Sequence, residues 1–448
     1  MLKIISNQNY ISERRYVSHV IFKEFLGMEF ELEFKYIVNG LIIEWQDKQI
    51  TFPDTLFSTE SSQWLKPSSC PSQPLPVISF NYEGLYNRDI PALYSDIASE
   101  QTYSCPIDIF GSIFFLLTRY EEINAPLDDQ FERYDFKNSI LFREDLLERP
   151  LVNEYLDLLK TLLKQLIPAI KFKTRKFDLR LSHDVDVPIT YSAGWRDTIK
   201  KSIGDLAYRK SICLFSKRLC GKFIHSLNGS LALDPNNNLS FLMDSADSVG
   251  IKSVFNFIPQ PGRAIVDSTY HLTNPHIIQQ LSSIFERGFE VGFHPSFQSF
   301  NNFEQTAQEL EMLNTALDSL GIPRVRIGRQ HFLRWSNPVT WQIWDELGLD
   351  KDCSLGYDGI NGFRSGCCYE YSVFNLRTRK HLRLKEQPLI LMDNNSSIHN
   401  SFRINEDARR FSSIVRFFGG DLSLLIHNNY ILSGRQRRNF QNLLKQNV

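Results

Sequence analysis

The second half of the chain alternates short apolar runs with amphipathic stretches, a rhythm that predicts parallel β/α units. Helical patterns at 302–320 and 338–347 are followed by Gly321 and Gly348, which commonly end helices. The seven runs that predict strands are FDLRLS, KSVFNFI, FEVGF, RVRIG, a weaker one in LDKDCSL, LILM and LSLLI. Together they predict a closed or nearly closed β/α barrel.

The first half follows a different pattern. Short alternating segments such as FELEFKYIV are interrupted by the Pro- and Ser-rich KPSSCPSQPLP, while DIFGSIFFLLTRYEE and NEYLDLLKTLLKQLI have the spacing of buried helices. We therefore predict a mixed α+β N-terminal domain of unknown role over 1–150, a helical connector over 151–175 and the β/α barrel over 176–448.

Composition and charge exclude several classes of protein. The 448 residues are 42% hydrophobic and 23% charged with a net charge of −1, so no overall field recruits nucleic acid. The apolar run 109–117 is too short to span a bilayer, and residues 1–10 lack the features of a signal peptide. The seven cysteines form no CxxC pair, which fits reduced thiols. We therefore predict a cytoplasmic protein.

Polar side chains follow five of the predicted strands, at the end where β/α barrels carry their functional groups. One such residue is commonly a helix cap, but five coincident strand ends favour a site. Asp184 and Asp186 are two residues apart, so their carboxylates point to one face unless they form an Asx turn before Pro188. The strand-end residues are His183, Asp184, Asp186, His294, Arg329, His331, Asp393 and His427.

The segments LSHDVD, EVGFHPS, GRQHFLR, GFRSG and LLIHNN, in that order and spacing, resemble the successive motifs of the polysaccharide deacetylases, the NodB-like carbohydrate esterases. The resemblance covers about 177–430. It implies a distorted (β/α)7 barrel, hydrolysis of an N- or O-acetyl group on a sugar, and a divalent metal, zinc, held by one Asp and two His.

The resemblance also implies catalytic roles. Asp184 matches the catalytic base, and Arg329 matches the arginine that keeps this base ionised and oriented. His427 matches the general acid for the departing amine or alcohol. Asp393 either orients His427 or caps a helix.

The implied metal ligands depart from the family pattern. Asp186 matches the metal-binding Asp and His294 the first His, but Val185 separates two aspartates that are adjacent in the family, so base and ligand could be reversed. The second His position is Gln298, whose amide is a weak zinc ligand. Other groups that could complete the shell are Ser296, His183, His331 or water.

Candidates for substrate binding are His331, Arg364 and Trp335. Arg364 lies in a glycine-rich segment and either contacts an anionic group or is solvated. Trp335 either stacks on a sugar or packs in the core. The basic amphipathic stretch 196–222 either touches anionic lipid or forms a solvated helix over the barrel mouth.

These features predict a metal-dependent deacetylase acting on a sugar intermediate of surface-polysaccharide biosynthesis, linked to a nucleotide or a lipid. The alternative is a catalytically weakened barrel that binds a glycan or scaffolds an assembly, and Gln298 is its main support. Sparse interleaving of aromatic and basic residues disfavours nucleic acid as a partner.

Overall fold

The structure is a computed structural model that describes residues 1–36, 40–97, 103–127, 129–191, 194–262, 267–268, 270–395 and 401–447. The strands are β1 (Leu2–Ser6), β2 (Phe30–Phe34), β3 (Leu41–Trp45), β4 (Lys48–Phe52), β5 (Val77–Ser79), β6 (Asp89–Pro91), β7 (Asp178–Val185), β8 (Val254–Phe257), β9 (Glu290–Phe293), β10 (Ile327–Gly328), β11 (Lys351–Asp352), β12 (Tyr371–Asn375), β13 (Lys380–Glu386), β14 (Leu391–Met392) and β15 (Asp421–Leu425). The helices are α1 (Ile11–Ser18), α2 (Ile109–Leu117), α3 (Ile140–Arg143), α4 (Leu151–Leu166), α5 (Trp195–Ala207), α6 (Ile212–Asn228), α7 (Leu239–Asp247), α8 (Pro275–Glu286), α9 (Phe303–Asp318), α10 (Val339–Glu346), α11 (Ser401–Phe418) and α12 (Gly434–Asn447).

The N-terminal region is built on a four-stranded sheet in the order β2-β1-β3-β4. Helix α2 begins where the Asp108 carboxylate accepts a hydrogen bond from the backbone N–H of Gly111, and all of its residues are buried. Helix α4 packs against it through an apolar stripe at helical spacing. This region is a mixed α+β arrangement, as its alternating segments predict.

The second region is a nine-stranded sheet in the order β12-β13-β11-β10-β9-β8-β7-β15-β14. Each of the seven predicted runs contains a parallel strand. The sequence pattern missed the hairpin β12–β13, because 380–386 alternates charged with apolar residues instead of forming a continuous apolar run. The described residues show no pairing of β12 with β14, so closure into a (β/α)7 barrel stays a prediction.

Two glycines let the central strands approach closely enough to assemble the site. A Cβ on Gly328 would lie 2.1 Å from the backbone oxygen of Phe293, so glycine allows β10 to meet β9 just before Arg329. A Cβ on Gly292 would lie 2.0 Å from the side-chain oxygen of Asn256. Both close approaches are at the carboxyl ends of the strands.

The two regions share one continuous hydrophobic core. Across their boundary, the Tyr16 hydroxyl donates to the backbone oxygen of Ser372 at 2.8 Å, and Arg379 donates to both carboxylate oxygens of Glu13 at 2.6 and 2.8 Å. In the part of the chain that the structure describes, no helix is both long enough and apolar enough to cross a membrane.

Candidate active site

Asp184 lies near the end of β7 and forms an ion pair with Arg329. Its Oδ1 accepts hydrogen bonds from Arg329 Nη1 at 2.9 Å and from Asn256 Nδ2 at 2.7 Å. The remaining donors of Arg329 reach Ser182 Oγ and the backbone oxygen of Cys353. Burial raises the pKa of Asp184, but the Arg329 charge, with smaller contributions from nearby histidines, holds that pKa below its ordinary value. Asp184 is therefore an ionised base with Oδ2 left for other contacts.

Asp186, His294 and His331 form a compact group with the spacing of a metal site. One ligand atom from each lies within 4.8 Å of the others. Asp186 Oδ1 is 3.5 Å from His294 Nε2 and 3.8 Å from His331 Nε2. Ligands of a tetrahedral zinc ion, with bonds of about 2.0–2.1 Å, lie about 3.3 Å apart. The two distances from Asp186 Oδ1 are only slightly longer than that spacing.

Hydrogen bonds behind the two histidines set which nitrogen faces the group. His294 Nδ1 lies 2.7 Å from the backbone oxygen of Arg329, and His331 Nδ1 lies 3.1 Å from Asp267 Oδ1. These acceptors favour the proton on Nδ1, which leaves both Nε2 lone pairs directed at Asp186. Asp186 Oδ1 is itself buried with no hydrogen-bond partner among the described residues. Asp186 Oδ1 and the two Nε2 atoms are three acceptors that face each other, and they repel unless a cation lies between them. The residues therefore fit a divalent metal ion. A proton on one Nε2 would compete with that ion.

His427 follows β15 and is held by Asp393. His427 Nδ1 is 2.7 Å from Asp393 Oδ1, and the His427 backbone N–H donates to Oδ2 at 2.8 Å. Burial lowers the pKa of His427, but the Asp393 carboxylate, with Asp186 and Asp184 further away, raises it to about 10. The imidazole is therefore a protonated acid whose Nε2 is not used by Asp393.

These groups line one cleft with a volume of about 220 Å³, to which Asp184, Asp186, His294, His331 and His427 all contribute. Arg329 lies behind Asp184. The cleft joins five residues that the strand-end pattern singled out, from four different strands.

The N-terminal region supplies part of the cleft wall, which the sequence did not indicate. Phe131 and Arg133 line the cleft, and the Phe131 ring lies 4.9 Å from that of Phe332. Arg133 donates to the backbone oxygen of Phe332 at 3.1 Å and to Asp358 Oδ2 at 3.0 Å. Because these contacts join segments about 200 residues apart in the chain, no local pattern could have found them.

The expectation that Gln298 is a metal ligand is wrong on geometry. Gln298 is exposed in a turn and is not among the described residues that line the cleft. His331 lies with Asp186 and His294 instead, in the place where a third ligand was expected from Gln298. Neither Ser296 nor His183 is among the described residues that line the cleft; Ser296 Oγ donates to Glu309, and His183 Nδ1 contacts the backbone oxygen of Ile426.

Arg364 and Trp335 also need correction as substrate-binding residues. Trp335 is 1% exposed and packs on Trp341, so it is a core residue. Arg364 is buried, and its guanidinium donates to both carboxylate oxygens of Glu122 at 3.1 and 2.5 Å. Its charge is thus neutralised by the N-terminal region.

Comparisons with known proteins give one family model for the N-terminal region and similar solved structures over part of the chain. Residues 2–168 match the model of a family of unknown function (DUF7033). No curated protein matches the chain. Among solved structures, one assigned as a polysaccharide deacetylase from Mycobacterium smegmatis is similar at 14% identity and a TM-score of 0.39, over 61% of this chain and 84% of that one. A family 4 carbohydrate esterase from Streptomyces lividans in complex with acetate is similar at 9% identity and a TM-score of 0.28, over 61% and 88%.

Proposed function

We propose that the protein is a metal-dependent hydrolase that removes an acetyl group from a sugar. One observation carries the proposal: an ionised carboxylate, a group suited to a divalent cation and a protonated imidazole face the same cleft. Hydrolysis of an amide or ester needs these parts, namely a base for water, an electrophile for the carbonyl and an acid for the leaving group. The resemblance of the strand-end motifs to NodB-like esterases supports an acetylated sugar as the substrate.

Each residue then has one task. Asp186, His294 and His331 would hold the metal ion, which when bound polarises the acetyl carbonyl and lowers the pKa of water. Asp184 takes a proton from that water on Oδ2, because Oδ1 is engaged by Arg329. The remaining hydroxide bonds to the acyl carbon.

The bond to the sugar nitrogen or oxygen then breaks, and His427 donates its proton to the departing atom. Asp393 keeps the imidazolium in place during this transfer. The products are acetate and a sugar amine or alcohol. From the sequence we also propose that the metal is zinc and that the sugar is linked to a nucleotide or a lipid. The same proposal includes a role in surface-polysaccharide biosynthesis and a cytoplasmic location.

The hypothesis of a weakened barrel that binds a glycan or scaffolds an assembly loses its main support. That hypothesis depended on Gln298 as a poor ligand in place of a histidine. Since His331 lies with Asp186 and His294, no metal-ligating residue needs to be missing.

The test is acetate release from N-acetylated chito-oligosaccharides and O-acetylated xylo-oligosaccharides, before and after chelation and zinc readdition. We expect release from one of them, loss on chelation and recovery with zinc. Asp184→Asn should abolish release while leaving bound zinc, measured by elemental analysis, unchanged. Zinc binding without acetate release from either substrate would contradict a deacetylase and favour a glycan-binding role.

A further inference from the structure

The α5–α6 hairpin, residues 195–228, presents its apolar side chains outward. On α5, polar Thr198, Ser202 and Asp205 face inward and are buried. Seven large apolar side chains on the two helices of the hairpin are exposed, and we call them the apolar face. They are Trp195, Ile199, Ile203 and Leu206 on α5 and Ile212, Phe223 and Leu227 on α6. A surface helix normally shows the reverse arrangement.

This exposure is concentrated in the hairpin. Among the described residues, nineteen large hydrophobic side chains are exposed, and eight of them lie between 195 and 227. Ile212 and Leu227 are 74% and 72% exposed. Scattered exposed hydrophobic residues need no explanation, but a contiguous patch of this kind marks an interaction surface.

Buried polar contacts fix which side of the hairpin faces out. Arg218 on α6 donates to Asp205 on α5 at 2.7 Å, and Arg209 donates to the same carboxylate at 2.9 Å. Lys222 Nζ donates to the backbone oxygen of Tyr191 at 2.6 Å. The pair Arg218–Asp205 fixes which sides of α5 and α6 pack on each other, and rolling the whole hairpin to bury its apolar face would break the contact of Lys222 with Tyr191, which lies outside the hairpin. The outward orientation is therefore built into the hairpin.

The charges beside the apolar face are positive. Arg196, Lys200, Lys201 and Lys210 are exposed, and Asp197 is the only exposed acidic residue of the hairpin, all of which the structure describes. An apolar stripe flanked by lysines and arginines is the composition of helices that lie in the interface of an anionic bilayer. A second copy docked through the same face would bring two sets of cations together, which disfavours a symmetric dimer.

We propose that the α5–α6 hairpin docks the protein on an anionic membrane surface through this apolar face. Ile203 and Phe223 enter the boundary between headgroups and acyl chains, and the flanking lysines pair with lipid phosphates. Arg209, in the turn between α5 and α6, lies close enough to Tyr430 of the cleft to act on its pKa, so docking brings the cleft near the lipid headgroups. That last consequence, access to a lipid-linked sugar, rests on the proposed function, whereas the docking does not.

Co-sedimentation of the full-length protein with vesicles tests the docking. We expect binding to phosphatidylcholine vesicles that contain phosphatidylglycerol, little binding to phosphatidylcholine alone, and weakening at high salt. Ile203→Ser/Phe223→Ser and Lys200→Glu/Lys201→Glu should each weaken the partition coefficient roughly tenfold or more. Phe285→Ser, at an exposed aromatic residue on α8, is the matched control and should bind like the wild type.

The readout is independent of catalysis, so failure of docking and failure of the proposed function are distinguishable. Acetate release from a water-soluble substrate should be unchanged in Ile203→Ser/Phe223→Ser. Equal binding to neutral and anionic vesicles, or no binding to either, would overturn the proposal. A concentration-dependent dimer in sedimentation velocity that this variant dissociates would instead assign the apolar face to a second copy of the chain.

Discussion

Two pairs of buried carboxyl groups lie on the same sheet in opposite states of charge. Asp184 and Asp186 at the end of β7 have their pKa values held below the ordinary value, although burial alone would raise them. Asp352 and Glu386 are register partners on β11 and β13; burial raises the pKa of Asp352, and burial together with the Asp352 charge raises that of Glu386. Burial is common to both pairs, so it does not decide the charge.

The groups that contact each pair decide its charge. Arg329 supplies positive charge to Asp184, and the protonated His427 supplies it to both aspartates. The second pair receives hydrogen bonds from neutral donors: Trp341 Nε1 at 3.1 Å and the Leu355 N–H at 3.1 Å to Glu386, and the Ser354 N–H at 3.0 Å to Asp352. Neutral donors do not offset the desolvation of two anions. The first pair is therefore held toward its ionised form, and the second pair toward its protonated form.

Removing the cation from the first pair should have the largest effect. In Arg329→Met, Asp184 is a buried carboxylate without its arginine, so we expect the free energy of unfolding to fall by about 3–5 kcal/mol at neutral pH. Urea unfolding measures the change. Asp184→Asn/Arg329→Met removes the charge with its partner and should recover part of the loss. A double variant as unstable as the sum of the single variants would show that the charge of Asp184 is not what Arg329 stabilises.

The second largest effect is expected at the proposed metal ligands. His331→Ala should weaken zinc binding about a hundredfold, because it removes one of the three protein ligands. Competition with a chromophoric chelator measures the affinity. Gln298→Ala, at an exposed residue outside the cleft, is the control and should leave the affinity unchanged. If Gln298→Ala weakened zinc as much as His331→Ala, the group built from Asp186, His294 and His331 would be the wrong one.

The sequence could predict features that depend on residues close together in the chain, but not those that depend on contacts between distant segments. Asp184, His294 and His427 each follow a local apolar run, so their placement at strand ends could be predicted from short segments. The role of His331 depends on its approach to Asp186 and on Asp267 behind it, which are contacts between distant loops. Asp267 belongs to no recognisable local motif, so the sequence could not predict that it contacts His331.

Contacts between distant segments also decide the surroundings of Arg364 and of the α5–α6 hairpin. The glycines around Arg364 favour an exposed turn, and only the fold brings Glu122, 242 residues earlier, onto its guanidinium. In the α5–α6 hairpin, the basic and apolar residues predict an amphipathic helix but not which side faces out. The Asp205 to Arg218 ion pair decides that, and it forms only when the two helices pack.

A smaller effect is expected at the acid of the proposed mechanism. Asp393→Asn removes the anion that raises the pKa of His427, so the imidazole loses its proton at lower pH. If His427 is the general acid, kcat falls about tenfold and the alkaline limb of its pH profile moves to lower pH. Asp318→Asn, which removes an exposed carboxylate on α9 that does not line the cleft, serves as the control. An unchanged pH profile in Asp393→Asn would remove His427 from the role of acid.

The second carboxyl pair should produce the smallest change, visible only as a pH dependence of stability. The pKa of Glu386 is raised in the folded protein, so between the unfolded value of about 4.3 and the raised value the folded state binds more protons than the unfolded state. The free energy of unfolding contributed by this pair therefore falls as pH rises through that window.

Asp352→Asn should flatten this dependence. It removes one of the two negative charges, and it is tolerated sterically because Asp352 Oδ2 has no hydrogen-bond partner among the described residues that an amide nitrogen would displace. Urea unfolding at about pH 5 and about pH 8 measures the difference. Asp350→Asn, which alters an exposed ion pair with Arg326, is the control and should keep the wild-type dependence. If Asp352→Asn kept it as well, the two carboxyl groups would not share their proton, and the contrast with Asp184 and Asp186 would be lost.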